Sequence, residues 1–480
     1  MTFDDDEAID ETQSVIIPGI EPIALGSIRE KLPPGHNADA PLEKCKFDVT
    51  LELKGVGTNR HGLDLVMVLD ISGSMRDEDK LEKLKKAVQF VIKKLSPTDD
   101  RLSVVTFNRE SKRLFPLRRI TENSQNEIEH LVNGLAAGGS RNIAAGLETG
   151  LQVLKDRRHN IGRAVAIMLV SDGEADPSSN AAEKVEVGDV PVFTFGFGRD
   201  QDAKVLSAIA GNSLGGTFSD VGNPDHLSDA FAQCLGGLLT VAVQDLKLTV
   251  TKKDSEKITS VSPRGYLQSK NKDGSLTTSF GDLYIGEVRK ITVELRLSAA
   301  VPGEKTEVLG YSYSYKVTDS TFKHGIGWVK PFEINTRSFS IPRKEKKPGG
   351  KRESVEEMLE EKRVLTAKMM TEARVMADEN KLEDARRKLD EARAFLVDEV
   401  DESHPSITML MHELEYFWGK LGSTNDYNKE GRPFALSCES SHNTQRFAFR
   451  GDDPNLARHF ATLHMDEHLE LARSFDTARG

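Results

Sequence analysis

Residues 63–74 read LDLVMVLDISGS. From Leu63 to Leu69 the run is apolar except for Asp64, and it ends in Asp70. A half-exposed strand would alternate, so a nearly continuous run predicts a strand buried on both faces, as in a parallel sheet. Similar runs follow at Leu102–Phe107, Ala164–Val170 and Val190–Phe195. Between them the apolar residues step by three and four: Leu81, Leu84, Val88, Val91 and Leu95, then Ile143, Leu147, Leu151 and Leu154. That spacing is helical. Strands alternating with helices predict a doubly wound, Rossmann-like α/β domain over residues 60–240, with ligands expected at the carboxyl ends of its strands.

The pattern changes on either side. Before the domain, Phe47, Val49, Leu51 and Leu53 fall on one face of a period-two stretch, so residues 44–58 are expected to hold a strand with one buried face. After it, residues 241–342 alternate in short stretches: Asp245–Thr251, Leu276–Phe280, Lys290–Leu297, Glu307–Val317 and Ser338–Ile341. Turn residues separate them, which predicts an antiparallel β-sandwich. The strand in 44–58 has no neighbour of its own kind. It is therefore expected to pair with the sandwich, which places the α/β domain in or beside it as an insertion.

Residues 343–352 (RKEKKPGGKR) read as a basic linker. Residues 353–480 read as a helical C-terminal domain. Val355, Met358, Leu365, Met369 and Met376 mark one face, and Leu382, Ala385, Leu389, Ala392 and Leu396 a second. A third helix is expected over Ser406–Trp418 and a last one at 454–475. Residues 1–43 read as a disordered arm. The whole is a multi-domain chain of α/β, all-β and α parts.

The chain has 480 residues, with 65 Lys and Arg against 76 Asp and Glu, for a net charge of -11. This balance does not supply the basic footprint of a nucleic-acid binder. Three cysteines, Cys45, Cys234 and Cys438, exclude a disulfide scaffold and a four-cysteine zinc module. No apolar run has the length to cross a bilayer. The start, MTFDDDE, has neither the basic nor the apolar part of a secretory leader, so a cytoplasmic protein is expected.

Asp70, Ser72 and Ser74 alternate through a turn between a strand and a helix. A carboxylate and two hydroxyls so placed suit a hard cation, Mg²⁺ first, with Ca²⁺ and Mn²⁺ as alternatives. A second acid is needed from a neighbouring strand end, and Asp172 stands at the end of the run Ala164–Val170. An aspartyl phosphatase would carry an acid where Ser72 stands. The Gly-x-Ser-x-Gly elbow of a serine hydrolase and the phosphate loop of a nucleotide motor are both missing from the sequence. His459, His464 and His468 cluster without the His-Glu-x-x-His pattern, and a polar helix face is their simplest reading. The chain is therefore expected to be non-enzymatic.

At these residues the sequence resembles the von Willebrand factor type A domain, whose metal-ion-dependent adhesion site reads Asp-x-Ser-x-Ser, then a Thr, then an Asp. The resemblance spans residues 60–240 and includes SVVTFN at 103–108, NIAAGLETG at 142–150 and IMLVSDGE at 167–174. It implies Asp70, Ser72, Ser74 and Asp172 as metal ligands. The family's Thr directly precedes Asn-Ile; here Arg141 stands before Asn142-Ile143. Ser140 serves as the fourth ligand if the loop shifts by one residue. Alternatively, the Arg141 guanidinium lies between the two acids and replaces the cation. The function implied is protein binding, with a partner's Asp or Glu completing the metal shell.

GRPFALSCESSHNTQRFAFRG at 431–451 is similar to plant proteins that join an A domain to an inter-alpha-trypsin-inhibitor-type C-terminal domain. These resemble ubiquitin ligases with a RING finger, which three scattered cysteines cannot build. The alternatives to metal-dependent adhesion are thus a RING-less regulatory or substrate-recognition paralogue, with a RING ligase as partner, or a structural protein whose site Arg141 fills.

Overall fold

The computed structural model describes residues 27–31, 40–57, 62–160, 162–173, 182–262, 265–303, 305–318, 329–333, 336–345, 355–397, 404–450 and 458–479. The chain opens on strands β1 (Ser27–Lys31), β2 (Ala40–Pro41) and β3 (Cys45–Val56). An α/β unit follows: β4 (Leu63–Asp70), α1 (Lys80–Lys94), β5 (Arg101–Phe107), β6 (Ser111–Arg119), α2 (Glu122–Asn133), α3 (Ile143–Lys155), β7 (Ala164–Ser171), β8 (Val192–Phe197), α4 (Ala203–Gly211), β9 (Phe218–Val221) and α5 (Leu227–Leu238). Strands then dominate: β10 (Val241–Lys252), β11 (Ser255–Ser262), β12 (Leu267–Lys270), β13 (Leu276–Tyr284), β14 (Val288–Leu297), β15 (Lys305–Thr318), β16 (Val329–Glu333) and β17 (Arg337–Lys344). Helices close the chain: α6 (Val355–Asp378), α7 (Leu382–Val397), α8 (Pro405–Gly419), the short α9 (Thr424–Asp426), α10 (Arg432–Thr444) and α11 (Leu463–Arg479).

The α/β sheet runs β6-β5-β4-β7-β8-β9, parallel except for β6 at one edge. β4 is central and every one of its residues is buried. Leu63, Leu65, Met67 and Leu69 pack with Leu84, Val88 and Val91 of α1 and Phe231 of α5. Val66 and Val68 face the other way, toward Ile143 and Leu147 of α3 and Leu206 of α4. The unbroken apolar run is therefore two alternating faces, each covered by helices. Gly150 lets α3 approach, since a Cβ there would lie 2.8 Å from Val68.

β3 pairs antiparallel with β14, from Cys45 opposite Leu297 to Lys54 opposite Val288. The strand before the α/β unit thus pairs with one far beyond it, and the α/β unit is inserted in the sandwich. One sheet is β1-β3-β14-β11; the other is β12-β13-β10-β15-β17-β2, with β16 on β15. Phe47, Val49, Leu51 and Leu53 meet Leu246, Leu248, Val250 and Tyr313 across the interior.

Two expectations need correction here. Part of the segment read as a disordered arm is ordered: β1 pairs with β3 and β2 runs parallel to β17. An edge strand is held by backbone hydrogen bonds, so its side chains need not show a pattern. Its remaining residues, 1–26 and 32–39, lie outside the described residues. Nor does the basic linker begin at Arg343. That side chain is 2% exposed and donates to the carbonyls of Pro41, Glu43 and Ser298. Residues 346–352 of the linker lie outside the described residues.

α6, α7, α8 and α10 share a core of Met370, Ala373, Leu389, Leu410, Leu414 and Phe434. α11 does not join it. Ala472 and Phe475 pack on Phe90 of α1 and Ala232 of α5. Gly236 makes this possible, because a Cβ there would lie 2.8 Å from the His464 carbonyl oxygen. The segment after α10 closes the edge of the α/β sheet, where Asp220 N donates to Phe449 O at 2.8 Å.

Arg446 joins the three parts. Its guanidinium donates to Glu287 through Nε (2.8 Å) and Nη2 (2.9 Å), to Gly215 O (2.6 Å) and to Asp282 O (2.7 Å). It lies 3.9 Å from the centroid of the Tyr284 ring. Glu287 also meets Arg289 at 2.8 Å. Burial alone would raise the Glu287 pKa, but Arg289 and Arg446 outweigh it and hold the carboxyl low. Removing one member of such a set strands buried charges. Glu287→Ala is therefore expected to cost about 3–5 kcal/mol of stability, read by chemical denaturation. Asp282 behaves oppositely, since loss of water pushes its carboxyl up from 3.8 to about 6. The folded chain keeps that proton where the unfolded chain has lost it, so the Asp282 contribution falls as pH rises from about 4 to 6. Asp282→Asn is expected to remove this part of the slope in stability measured against pH.

Candidate binding site at the carboxyl end of the central strand

β4 ends at Asp70 and its neighbour β7 ends at Ser171, so Asp70 and Asp172 emerge side by side at the carboxyl edge of the sheet. Both carboxylates are fully buried. After Asp70 the chain turns back on it, with Ser72 N donating to Asp70 Oδ1 at 2.8 Å. Ser171 Oγ donates to Asp70 Oδ2 at 2.7 Å. Ser72 Oγ and Ser74 Oγ lie 3.2 Å apart, and Ser74 Oγ donates to Asp172 Oδ1 at 2.7 Å. The turn therefore gathers Asp70, Ser72, Ser74 and Asp172 at one point.

The loop before α3 is fastened to this turn. Gly73 N donates to Gly139 O at 3.0 Å, and Gly138 N donates to Ile71 O at 2.8 Å. Asn108 Nδ2 holds Gly138 O at 2.8 Å. Gly139 takes φ +84°, a left-handed conformation that favours glycine. The loop then enters α3 at Asn142, whose side chain accepts from Ala145 N. Its register is thus pinned at both ends, and no one-residue shift brings Ser140 inward. Ser140 is exposed, and no hydrogen bond among the described residues ties its hydroxyl to the four gathered groups. The expectation that Ser140 completes the set is corrected on this geometry.

Arg141 takes the central place. Its Nε donates to Asp70 Oδ2 at 2.7 Å. Its Nη2 lies 2.6 Å from Asp172 Oδ1, 2.6 Å from Ser74 Oγ and 3.1 Å from Ser72 Oγ. Gly173 makes room for it, since a Cβ there would lie 2.5 Å from Nη1 and 2.6 Å from Nη2. On the far side, Lys80 Nζ donates to Asp172 Oδ2 at 3.0 Å. Two buried carboxylates thus face two cations, and the charges balance without a further ion.

A divalent cation does not fit this arrangement. The oxygens that would ligate it already accept from one guanidinium, which fills the space between the acids. Adding a cation beside Arg141 and Lys80 would put four positive charges against two negative ones. Among the described residues no hydrogen bond links Ser72 or Ser74 to a histidine, the base that nucleophilic catalysis would ask for. Asp70, Ser72, Ser74, Asp172 and Arg141 were legible as candidates. Lys80, Ser171, Asn108 and Gly173 were not, because nothing local marks a lysine, a serine, an asparagine or a glycine as the neighbour of a distant acid.

The C-terminal histidines lie elsewhere. His464 and His468 sit on α11, whereas His459 precedes it, with its ring centre 5.4 Å from that of His442. His442 pairs with the buried Glu413 at 2.8 Å. Among the described residues no three or more His, Cys, Asp and Glu side chains are grouped so as to hold a metal.

Residues 64–233 match the family model of the von Willebrand factor type A domain, and the chain contains such a domain. It is similar to the E3 ubiquitin-protein ligase WAV3 of Arabidopsis thaliana, 31% identical over 278 residues, 56% of this chain and 35% of that protein. The probable E3 ubiquitin-protein ligase WAVH2 of the same plant is 29% identical over 259 residues, 52% of this chain and 34% of that one. The chain therefore spans about a third of the length of these curated relatives. Among solved structures, a von Willebrand factor type A protein from Catenulispora acidiphila superposes with a TM-score of 0.67 at 15% identity, covering 90% of this chain and 99% of that one. The ArnB paralog VWA2 from Sulfolobus acidocaldarius gives 0.54 at 16% identity, covering 88% and 98%. At those identities the likeness is one of fold, and it extends well beyond the α/β domain.

Gly173→Ala is expected to cost about 1–3 kcal/mol, because the added methyl displaces the Arg141 guanidinium from its partners. In an Arg141→Ala background the same change is expected to cost far less. A double-mutant cycle on thermal unfolding measures the difference.

Proposed function

We propose that this chain is a non-catalytic protein-binding module which receives a partner at the loop face around Arg141, Ser72 and Ser74. Domains of the von Willebrand factor type A family are protein-interaction modules, and the carboxyl ends of the strands are where a doubly wound sheet presents a site. The observation that carries the proposal is the convergence of Arg141 with two serine hydroxyls at that edge. Their hydrogen bonds are already taken up by Asp70 and Asp172, so the cluster serves to hold the exposed loop at Ser140 in place, and a partner's Asp or Glu is proposed to dock against that rim. The family's metal would receive the same group; here the guanidinium stands in its place.

The partner proposed is a RING-bearing ubiquitin ligase of the kind to which the chain is similar, with this chain in a regulatory or substrate-recognition part. Three scattered cysteines cannot build a RING finger here, so transfer of ubiquitin is assigned to the partner. Among the described residues no helix is long and apolar enough to cross a membrane.

Ser140 offers a clean test because it is exposed at the rim and holds none of the buried groups. The chain and a full-length WAV3-type ligase are purified separately and their binding is measured by isothermal titration. Ser140→Trp is expected to weaken binding at least roughly ten-fold, with an unchanged melting temperature. Full affinity in that variant, or no complex with the wild-type chain, would remove the proposal.

A further inference from the structure

We infer that this A-domain site uses a tethered cation, the Arg141 guanidinium, in place of an exchangeable divalent ion, and that replacing Arg141 by threonine uncovers a latent metal site formed by Asp70, Ser72, Ser74 and Asp172. Three observations lead to it.

The first is the position of the charge. A single nitrogen, Arg141 Nη2, sits within 2.6 to 3.1 Å of Ser74 Oγ, Asp172 Oδ1 and Ser72 Oγ, and Nε binds Asp70 Oδ2 at 2.7 Å. One side chain therefore engages all four groups that a hard cation would gather. The second is the shape around it. Gly173 leaves a slot that any Cβ would fill, at 2.5 Å from Nη1. The slot is thus matched to a planar guanidinium lying against the strand end.

The third is the anchoring of the arm. Gly138, Gly139 and Asn108 fix the loop before Arg141, and the Asn142 cap fixes the helix after it. Its effective concentration at the two acids is therefore set by the fold and does not vary with the solution. A divalent ion has to compete with this intramolecular group, which is present at every metal concentration. It also meets the charge of Lys80, held on the outer oxygen of Asp172.

Truncation to threonine removes the competing charge and keeps a hydroxyl at the position where the family pattern has one. Asp70 and Asp172 then face only Lys80, and the four oxygen groups are left with an unbalanced negative charge. Mg²⁺ or Mn²⁺ with its waters suits such a set.

Mn²⁺ uptake by the full chain is measured by electron paramagnetic resonance and isothermal titration, with melting temperature as a second readout. The wild-type chain is expected to take up no Mn²⁺ at this site in the millimolar range and to melt at the same temperature with Mg²⁺, Mn²⁺ or a chelator. Arg141→Thr is expected to bind one Mn²⁺ at least roughly ten-fold more tightly than the wild type, and to melt higher when it is present. Adding Asp70→Asn to that variant is expected to abolish the gain. Uptake of Mn²⁺ by the wild type that Asp70→Asn removes would overturn the inference. So would an Arg141→Thr or Arg141→Ser chain that keeps its far-ultraviolet dichroism and binds no Mn²⁺. Should neither variant fold, the wild-type titration still decides. Cation uptake is read without any partner, so the partner assignment and the Arg141 assignment fail separately.

Discussion

The pairing of Arg446 with Glu287 is the contact on which the arrangement of the parts depends. Glu287 stands in the sandwich beside Arg289, while Arg446 comes from the segment after α10. The same guanidinium binds a carbonyl of the α/β unit at Gly215 and stacks on Tyr284. A buried ion pair in one domain is weak evidence of stability, since an apolar replacement often does as well. Here it spans three units whose order in the chain is interleaved. It forms only when all three are docked, so it ties their relative placement to the burial of charge. Gln445 extends the contact, its side chain bonding both the N–H and the carbonyl of Lys290.

The same physical device recurs at both ends of β4. At the amino end the buried Asp64 meets Arg101, Arg157 and Arg163 at 2.7 to 2.8 Å. Burial would raise its pKa, yet the three guanidinia outweigh that and lower it. At the carboxyl end Asp70 and Asp172 meet Arg141 and Lys80. The central strand is thus terminated on each side by a carboxylate that has left water and must be matched by cations. At the amino end the match closes the base of the sheet beneath β10, where Gln244 bonds the Arg163 carbonyl. At the carboxyl end it takes the place where folds of this kind present their ligands.

What the sequence disclosed follows from the range of the forces concerned. The run at 63–69 and the alternation at 47–53 could be read because each face of a strand must be apolar where it is covered. That β3 joins the sandwich could be inferred because a lone half-buried strand has to find a partner, whereas its pairing with β14 could not. Spacing grouped Asp70, Ser72 and Ser74 because they share one turn, and Asp172 was drawn in as an acid at the end of a neighbouring strand. Arg343 misled because a basic residue beside Pro and Gly looks like a linker, and only three carbonyls brought together by the fold reveal that it is buried. β1 was missed because edge pairing is made by the backbone. α11 shows the helical period but not its destination, which Gly236 and Gly237 decide by leaving room on α5. Sequence pattern fixes which face is covered, not what covers it.

The departure at Arg141 has a consequence that reaches past the site. An exchangeable ion can be lost, and its loss leaves two carboxylates 0% exposed without a counter-charge, which the loops must answer by moving. A guanidinium carried by the chain cannot diffuse away, and the loop that carries it is bonded to the turn after β4 and to Asn108 after β5. The geometry therefore favours one state of the loop over two. On the reading proposed above, a partner meeting this face meets it preorganised, so its affinity carries little cost for ordering the loops and does not depend on a metal supply. What is given up is the strength of a direct carboxylate–metal bond. Binding at a face of this kind has to be supplied by the area around the site, and so by the exposed loops on either side of Ser140.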